Sequence, residues 1–373
     1  MTKRIGNLYK DVTSLANLEL AHINASKGKS WYKEVIELEK DLRGGLESIQ
    51  ALLSNHTYKT SNYEMFQKVE GDKVRNIYKL PYYPDRIVQW ALMQVVSPYI
   101  EKHLIRDTYS AIPNRGTYDG LERVRYVLYK HPDLCKYCLK LDVRHYYQSI
   151  VHDILFDKYC KLFKDSDLLW LIREIIDSIN TLDGEDIQEM KDANLEIIYE
   201  CGLPIGNYFS QWSGNFYLSS FDHWVKEYLR IKYYFRYMDD IVILHNDCSY
   251  LHKIVDEIKF FLWDRLRLRM KNNWQIFPTF SRGVDFLGYR LFGKYTLLRK
   301  KTIRNIKKSC KAIGNKVNRD RRINYHDFCS LNSFLGWTEK ANCHRFENKH
   351  IMKYQDAAWD FYFNVIWMGD SCD

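Results

Sequence analysis

Apolar runs broken by short polar segments mark the centre of this chain. Tyr233-Tyr234-Phe235 and Ile241-Val242-Ile243-Leu244 flank Asp239-Asp240, a pattern that predicts a β-hairpin with its turn at or beside the two acids. Lys140 to Tyr147 predicts a strand running into a turn, with Asp142 at the strand end. Lys73 to Leu80 alternates as a strand should. Pro81 and Pro84 then bracket a turn, and Asp85 is the expected N-cap of a helix through Ile87, Val88, Ala91, Leu92 and Val95. Residues 1–55 read as helical, with a periodic stretch from Trp31 to Leu53 that Gly44-Gly45 is expected to kink or split. Further helices are predicted over Asp165 to Ile179 and over Gly206 to Leu229. Asp183 to Glu200 is acid-rich and reads as an exposed insertion. No repeat or low-complexity linker interrupts the 373 residues, which predicts one interlocked unit.

Composition narrows the class without naming it. With 46% hydrophobic and 28% charged residues, the chain has an ordinary globular balance. No apolar run approaches the roughly 20 residues that span a bilayer, and Met1 to Lys10 lacks the apolar core of a secretory signal. A cytoplasmic protein with no membrane partner is the expectation. The 9 cysteines are scattered and odd in number, which suits reduced thiols better than a disulfide framework. Cys135 and Cys138 have the spacing of half a zinc site, but no second close pair follows, and two small core residues are the better reading.

Charge changes the picture more. Arg299 to Arg322 carries eleven Lys/Arg against the single acid Asp320, a charge of +10 that leaves the rest of the chain at −1. A solvated helix face explains four or five basic residues. Eleven in so short a stretch read better as a phosphate-contacting surface, with Lys300, Lys301, Arg304, Lys307 and Lys308 as the candidate RNA-binding residues.

The acids supply the candidate chemistry. Two adjacent carboxylates at a hairpin tip repel one another, and a hard cation gives a reason for them. One pair on one strand cannot clamp two ions from opposite sides, so a second acid is required, and Asp142 offers it. Two divalent ions bridged by Asp142 and Asp239 would activate a 3′-hydroxyl and stabilise departing pyrophosphate. The protein's share is then positioning and charge neutralisation.

These residues resemble the reverse transcriptases, over nearly the whole chain. Asp142 falls where that family has its first metal ligand, and Tyr237-Met238-Asp239-Asp240 matches its second acidic motif. The resemblance implies an α+β right-hand polymerase fold, with fingers, a palm of antiparallel sheet plus helices, and a helical thumb. It divides the chain into an N-terminal helical extension (1–55), interleaved fingers and palm (56–292) and a basic helical thumb (293–373). Asp142, Asp239 and Asp240 are the implied catalytic residues. With Val143 they are also the implied ligands of two magnesium ions, for which manganese can substitute. Tyr147 matches the aromatic gate that excludes a ribose 2′-hydroxyl, and Lys73 or Arg75 matches the contact to the incoming triphosphate. Phe286-Leu287-Gly288-Tyr289 resembles the primer grip, through Leu287, Gly288 and Tyr289.

Two departures point to a subtype. The family's usual segment against the nascent base pair has Gln-Gly followed by Ser-Pro. Here Ile205 precedes Gly206, and Gln211 stands where proline is usual. An apolar side chain at 205 lacks the polar contacts glutamine makes, which weakens discrimination between correct and incorrect pairs. That pattern resembles the reverse transcriptases of diversity-generating retroelements, which copy a template RNA with frequent errors at adenines. The resemblance implies a prokaryotic or phage-encoded protein with a structured template RNA, a primer and cDNA strand, deoxynucleoside triphosphates, and a small helical oligomeric accessory protein as partners. The alternatives are a defence-type or retron-like reverse transcriptase and, more remotely, a non-catalytic RNA-binding scaffold.

Overall fold

The computed structural model describes residues 3–70, 73–181, 199–319 and 322–367. The chain forms two compact units whose segments interleave, instead of one. The first comprises Met1–Gly116, Leu141–Ile241 and His252–Trp274, the second Thr117–Lys140, Val242–Leu251 and Gln275–Asp373. No helix among the described residues is long and apolar enough to cross a membrane.

Helices open the first unit: Tyr9–Val12, Leu15–Ser26, Lys33–Glu39 and Leu42–Ser54. The expected break in the periodic stretch falls at Lys40-Asp41, not at the glycines. Asp41 caps the next helix by accepting from the Gly44 amide. A Cβ on Gly45 would lie 2.4 Å from Leu38 Cδ1, so Gly45 serves close packing. A hairpin follows, β1 (Glu64–Glu70) and β2 (Lys73–Lys79), antiparallel in the register Phe66↔Ile77.

Asp85 is not a helix cap. The helix begins at Ile87, and the buried Asp85 carboxylate instead accepts from the Tyr58 hydroxyl at 2.8 Å and the Ser61 amide at 3.0 Å. Burial turns a surface capping residue into a tie between loop and helix. The helix Leu15–Ser26 packs on Ile87–Glu101, which packs in turn on Tyr208–His223. That last helix lies inside the unit and is buried nearly all round, its polar Ser210, Ser213, Asn215, Ser219 and Asp222 included. The predicted helix over Asp165 to Ile179 is present as Ser166–Ile176, capped by Asp165.

A five-stranded sheet has the order β3-β5-β6-β4-β7, with β3 Thr108–Tyr109, β4 Tyr137–Asp142, β5 Tyr233–Tyr237, β6 Asp240–His245 and β7 Gln275–Pro278. It is mixed, not antiparallel throughout. The two-residue β3 runs parallel to β5, Thr108 opposite Arg236. β5 and β6 are buried along almost their whole length, as central strands covered on both faces must be.

In the second unit, β8 (Val284–Phe286), β9 (Tyr289–Leu291) and β10 (Thr296–Leu298) form a three-stranded antiparallel sheet. The helices Lys300–Val317 and Tyr325–Glu339 follow. Lys300–Val317 buries Ile306, Cys310, Ile313 and Gly314 on one stripe. Cys135 and Cys138 are fully buried, as small core residues should be. The acid-rich positions 183–198, together with Asp320 and Arg321, lie outside the described residues.

Candidate active site

The hairpin β5–β6 turns at Met238-Asp239, and Met238 takes the left-handed backbone, φ +53°. A non-glycine residue holds that conformation only when its surroundings fix it. Arg236 supplies the fixing. Its guanidinium, wholly buried, donates from Nη1 to the Met238 carbonyl at 3.1 Å. The same group grips Asp222 through Nε at 2.7 Å and Nη2 at 2.6 Å, and bonds Asn215 Oδ1 at 3.1 Å and the Asn215 carbonyl at 3.2 Å. Tyr234 donates its hydroxyl to Asp222 at 2.5 Å. A buried carboxylate and guanidinium whose polar atoms find hydrogen-bond partners form a satisfied network, which is what lets charges persist at zero exposure.

Asp142 ends β4 beside this turn. The Val143 amide donates to the Asp239 carbonyl at 3.4 Å, and the Lys271 amide donates to the Asp142 carbonyl at 2.9 Å. The Lys271 ammonium stands 3.4 Å from Asp142 Oδ2 and 3.9 Å from Asp239 Oδ2. Three chain segments distant in sequence thus converge two carboxylates on one cation. Burial, and next the charge of Asp142, push the Asp239 carboxyl up; Lys271 pulls it down. A half-buried carboxylate pushed up by a neighbouring acid marks a site short of positive charge. That donor set, all oxygen, fits magnesium, with Asp142, Asp239 and Asp240 as the side chains present to hold it and the carbonyl of the buried Val143 between them in sequence. Asp240 begins β6 and is half-buried.

Residues 67–291 match the family profile described as reverse transcriptase (RNA-dependent DNA polymerase). The chain belongs to this family. Its mixed α+β architecture is that of a right-hand polymerase. Among solved structures, the reverse transcriptase chain is similar to the telomerase of Candida albicans in complex with a fragment of telomeric RNA, at 11% identity and TM-score 0.45, covering 82% of this chain and 59% of that one. It is also similar to the apo telomerase of Candida tropicalis, at 13% identity and TM-score 0.45, covering 84% and 59%. The chain therefore spans about three fifths of the length of those telomerase chains. No curated protein matches it.

Of the residues this reverse transcriptase's sequence singled out, Tyr147 lies with the acids. It sits in the short turn Tyr147–Ser149, its hydroxyl 3.3 Å from Met238 Sδ. Burial and then the charge of Asp239 raise its phenol well above the usual range, so it is neutral. Gly214 lies against it: a Cβ there would stand 3.2 Å from Tyr147 Cε1. Ile205 is half-buried and Gly206 exposed with φ +111°, and a Cβ on Gly206 would stand 3.7 Å from Ile77 Cγ2 on β2. Gln211 lies half-buried in the first turn of Tyr208–His223. Lys73 and Arg75 occupy β2, opposite Glu70 and Lys68; their side chains lie outside what the structure describes.

The second unit holds the remainder. Leu287 and Gly288 form the two-residue turn between β8 and β9 with φ +53° and +87°, the primed geometry that matches strand twist. Tyr289 is buried, its hydroxyl donating to the Trp337 carbonyl at 3.1 Å. Lys300, Lys301, Arg304, Lys307 and Lys308 are all exposed and lie outside the buried stripe of their helix.

Sequence reasoning missed Lys271 and the Arg236–Asp222–Asn215 network. A signal for the second existed. An arginine inside the apolar run Tyr233 to Tyr237 must find a buried partner, and Asp222 is an acid among aromatic residues on the preceding helix.

Proposed function

We propose that this chain is an RNA-directed DNA polymerase that makes error-prone cDNA, mutagenic at adenines, from a retroelement template RNA. The observation that carries the polymerase reading is the convergence of Asp142 and Asp239 on Lys271. In this reading Asp142, Asp239, Asp240 and the Val143 carbonyl hold two magnesium ions. Ions held there would supply activation of a primer 3′-hydroxyl and charge neutralisation for the departing pyrophosphate. Arg236 keeps the Met238 turn in its left-handed form, so that Asp239 is aimed before substrate arrives.

Tyr147 serves as the sugar gate, its ring backed by Gly214 and close to the acids, so a 2′-hydroxyl meets a wall. Lys73 or Arg75 meets the triphosphate from β2. The Leu287-Gly288-Tyr289 turn grips the primer, and the exposed cations of Lys300–Val317 follow the phosphate backbone of the template–product duplex. The corresponding division is fingers and palm over 56–292, thumb over 293–373 and an N-terminal extension over 1–55.

The diversity-generating subtype rests on Ile205, an apolar residue beside Gly206, the position packed toward β2. Structured template RNA, primer, deoxynucleoside triphosphates and a small oligomeric helical protein are the partners this reading implies, in a prokaryotic or phage setting and in the cytoplasm. The test is cDNA synthesis by the purified chain on its own flanking RNA, followed by product sequencing. Template-directed cDNA with substitutions concentrated at adenines is expected, and Asp239→Asn abolishes synthesis. Untemplated homopolymer would overturn the retroelement reading in favour of a defence-type enzyme. Undiminished synthesis by Asp239→Asn would overturn the catalytic assignment.

A further inference from the structure

A second cluster of ligating side chains lies away from the acids. His152 starts the helix His152–Leu162 and is 1% exposed. Its Nε2 lies 2.9 Å from the Gly202 carbonyl. A carbonyl only accepts, so Nε2 carries the hydrogen, and Nδ1 is the nitrogen left over. Nδ1 is buried and makes no hydrogen bond, yet it faces Asp177 and Glu200. One ligand atom from each of the three residues falls within a span of 4.8 Å.

The backbone here is built to hold the imidazole in place. The His152 amide donates to the Glu200 carbonyl at 3.0 Å, and the Gly202 amide to the Ile150 carbonyl at 2.8 Å. Gly202 has φ +115°, and a Cβ on it would stand 1.8 Å from Thr181 Oγ1. Glycine is the residue type that fits this backbone and this close approach. A histidine that donates one ring N–H to a backbone carbonyl has its other nitrogen fixed as a lone pair, the usual arrangement of a metal ligand.

We propose that His152, Asp177 and Glu200 form a binding site for a zinc-type divalent cation, distinct from the Asp142–Asp239 pair. The spacing favours a shared cation over a simple ion pair. His152 Nδ1 and Asp177 Oδ1 are 3.4 Å apart, whereas charge-assisted hydrogen bonds close to about 2.7–2.9 Å. Two ligands of a tetrahedral zinc with bonds of 2.0–2.1 Å stand about 3.4 Å apart. The other Asp177 oxygen, Oδ2, accepts from Arg173 Nε at 2.5 Å, and Arg173 also reaches Asp153 at 2.7 Å. That pairing orients Asp177 with Oδ1 toward the histidine. Asp177 and Glu200 are exposed on their outer sides, so Glu200 has room to swing in and water to complete the coordination. One nitrogen with two carboxylates suits zinc, cobalt or manganese; magnesium prefers oxygen alone.

Such an ion fastens the start of one helix, the end of another and the segment carrying Gly202. The Leu203 amide of that segment donates to the Tyr147 carbonyl at 2.8 Å, so the cation braces the base of the proposed nucleotide pocket.

The experiment strips the full-length chain with chelator, reloads it with Zn2+ or Co2+ under excess Mg2+ that occupies the all-oxygen pair, and removes free metal. One retained equivalent, cobalt absorption bands of nitrogen–oxygen ligation and a raised melting temperature are expected. Asp177→Asn and Glu200→Gln are isosteric changes at exposed side chains, and circular dichroism checks that each variant is folded. Each is expected to lower retention by more than about 100-fold and to erase the melting shift. No retention by the wild-type chain would mean that His152 and Asp177 form only an ion pair. Retention unchanged in both variants would put the metal elsewhere, on cysteines for example. Either result overturns the proposal, and neither depends on polymerase activity.

Discussion

The Arg236 guanidinium donates to the Met238 carbonyl at 3.1 Å while clamping Asp222 with two further bonds. A buried ion pair therefore sets the backbone of the turn that carries Asp239. Removing one partner strands a buried charge and costs about 3–5 kcal/mol, so Arg236→Gln alone is expected to lower thermal stability sharply. The neutral pair Arg236→Gln/Asp222→Asn is expected to recover most of that stability. It is not expected to recover turnover, because Met238 still lacks its strong donor. Melting curves and kcat together check this, with kcat down by about 10- to 100-fold in the stable double variant. Full activity in that variant would show that the network only supports the fold.

Lys271 occupies the place between Asp142 and Asp239 as an internal counter-ion. Lys271→Met is expected to destabilise the chain in chelator by about 1 kcal/mol, through carboxylate repulsion left unscreened. Saturating Mg2+ is expected to erase that difference. Thermal denaturation with and without Mg2+ measures both. A destabilisation that Mg2+ leaves untouched would mean that the ion does not relieve the same repulsion.

Ile205→Gln restores a polar side chain beside Gly206. Misincorporation opposite template adenine is expected to fall, by up to about 10-fold if one hydrogen bond of about 1.4 kcal/mol is regained. Sequencing of cDNA gives the rate opposite each base. Unchanged rates at all four would remove position 205 from the fidelity mechanism.

Neutralising Lys300, Lys301, Arg304 and Lys307 to glutamine leaves the buried stripe of their helix intact. If all four meet phosphates, the slope of log affinity against log salt is expected to flatten by roughly 3–4. RNA-binding titrations across a salt series measure it. An unchanged slope puts these charges off the nucleic-acid path.

Gly214 carries no side chain because Tyr147 lies against it, at 3.2 Å from where a Cβ would be. Gly214→Ala is expected to displace the ring by a few tenths of an ångström and raise KM for deoxynucleotides. Tyr147→Ala removes the wall and is expected to admit ribonucleotides. Single-nucleotide incorporation with both sugar types checks the pair. No change of sugar preference in Tyr147→Ala would end its assignment as the gate.

Much of the fold was legible because its signals are local. The hairpin at Asp239-Asp240 follows from two apolar runs, and the helix after Asp165 from its cap and period. Asp85 was misread for the same reason. Its position before Ile87 satisfies a local capping rule, while its real partners, Tyr58 and Ser61, lie 27 and 24 residues upstream. Asp142 could be picked out by type and strand position. Lys271 could not, since nothing in Met270-Lys271-Asn272 marks a residue that crosses to β4. The short β3 escaped because two residues carry no period.

Gly288 and Trp337 have a consequence beyond packing. A Cβ on Gly288 would stand 2.4 Å from the Trp337 ring, Tyr289 stacks on the same ring at 5.2 Å, and the Arg299 amide donates to the Gly288 carbonyl at 3.0 Å. The β8–β9 turn and the helix Tyr325–Glu339 are thereby packed directly against one another. If the turn is the primer grip proposed above, a load on that helix is carried to it. A change at Trp337 is then felt at the β8–β9 turn, although the two are far apart in sequence.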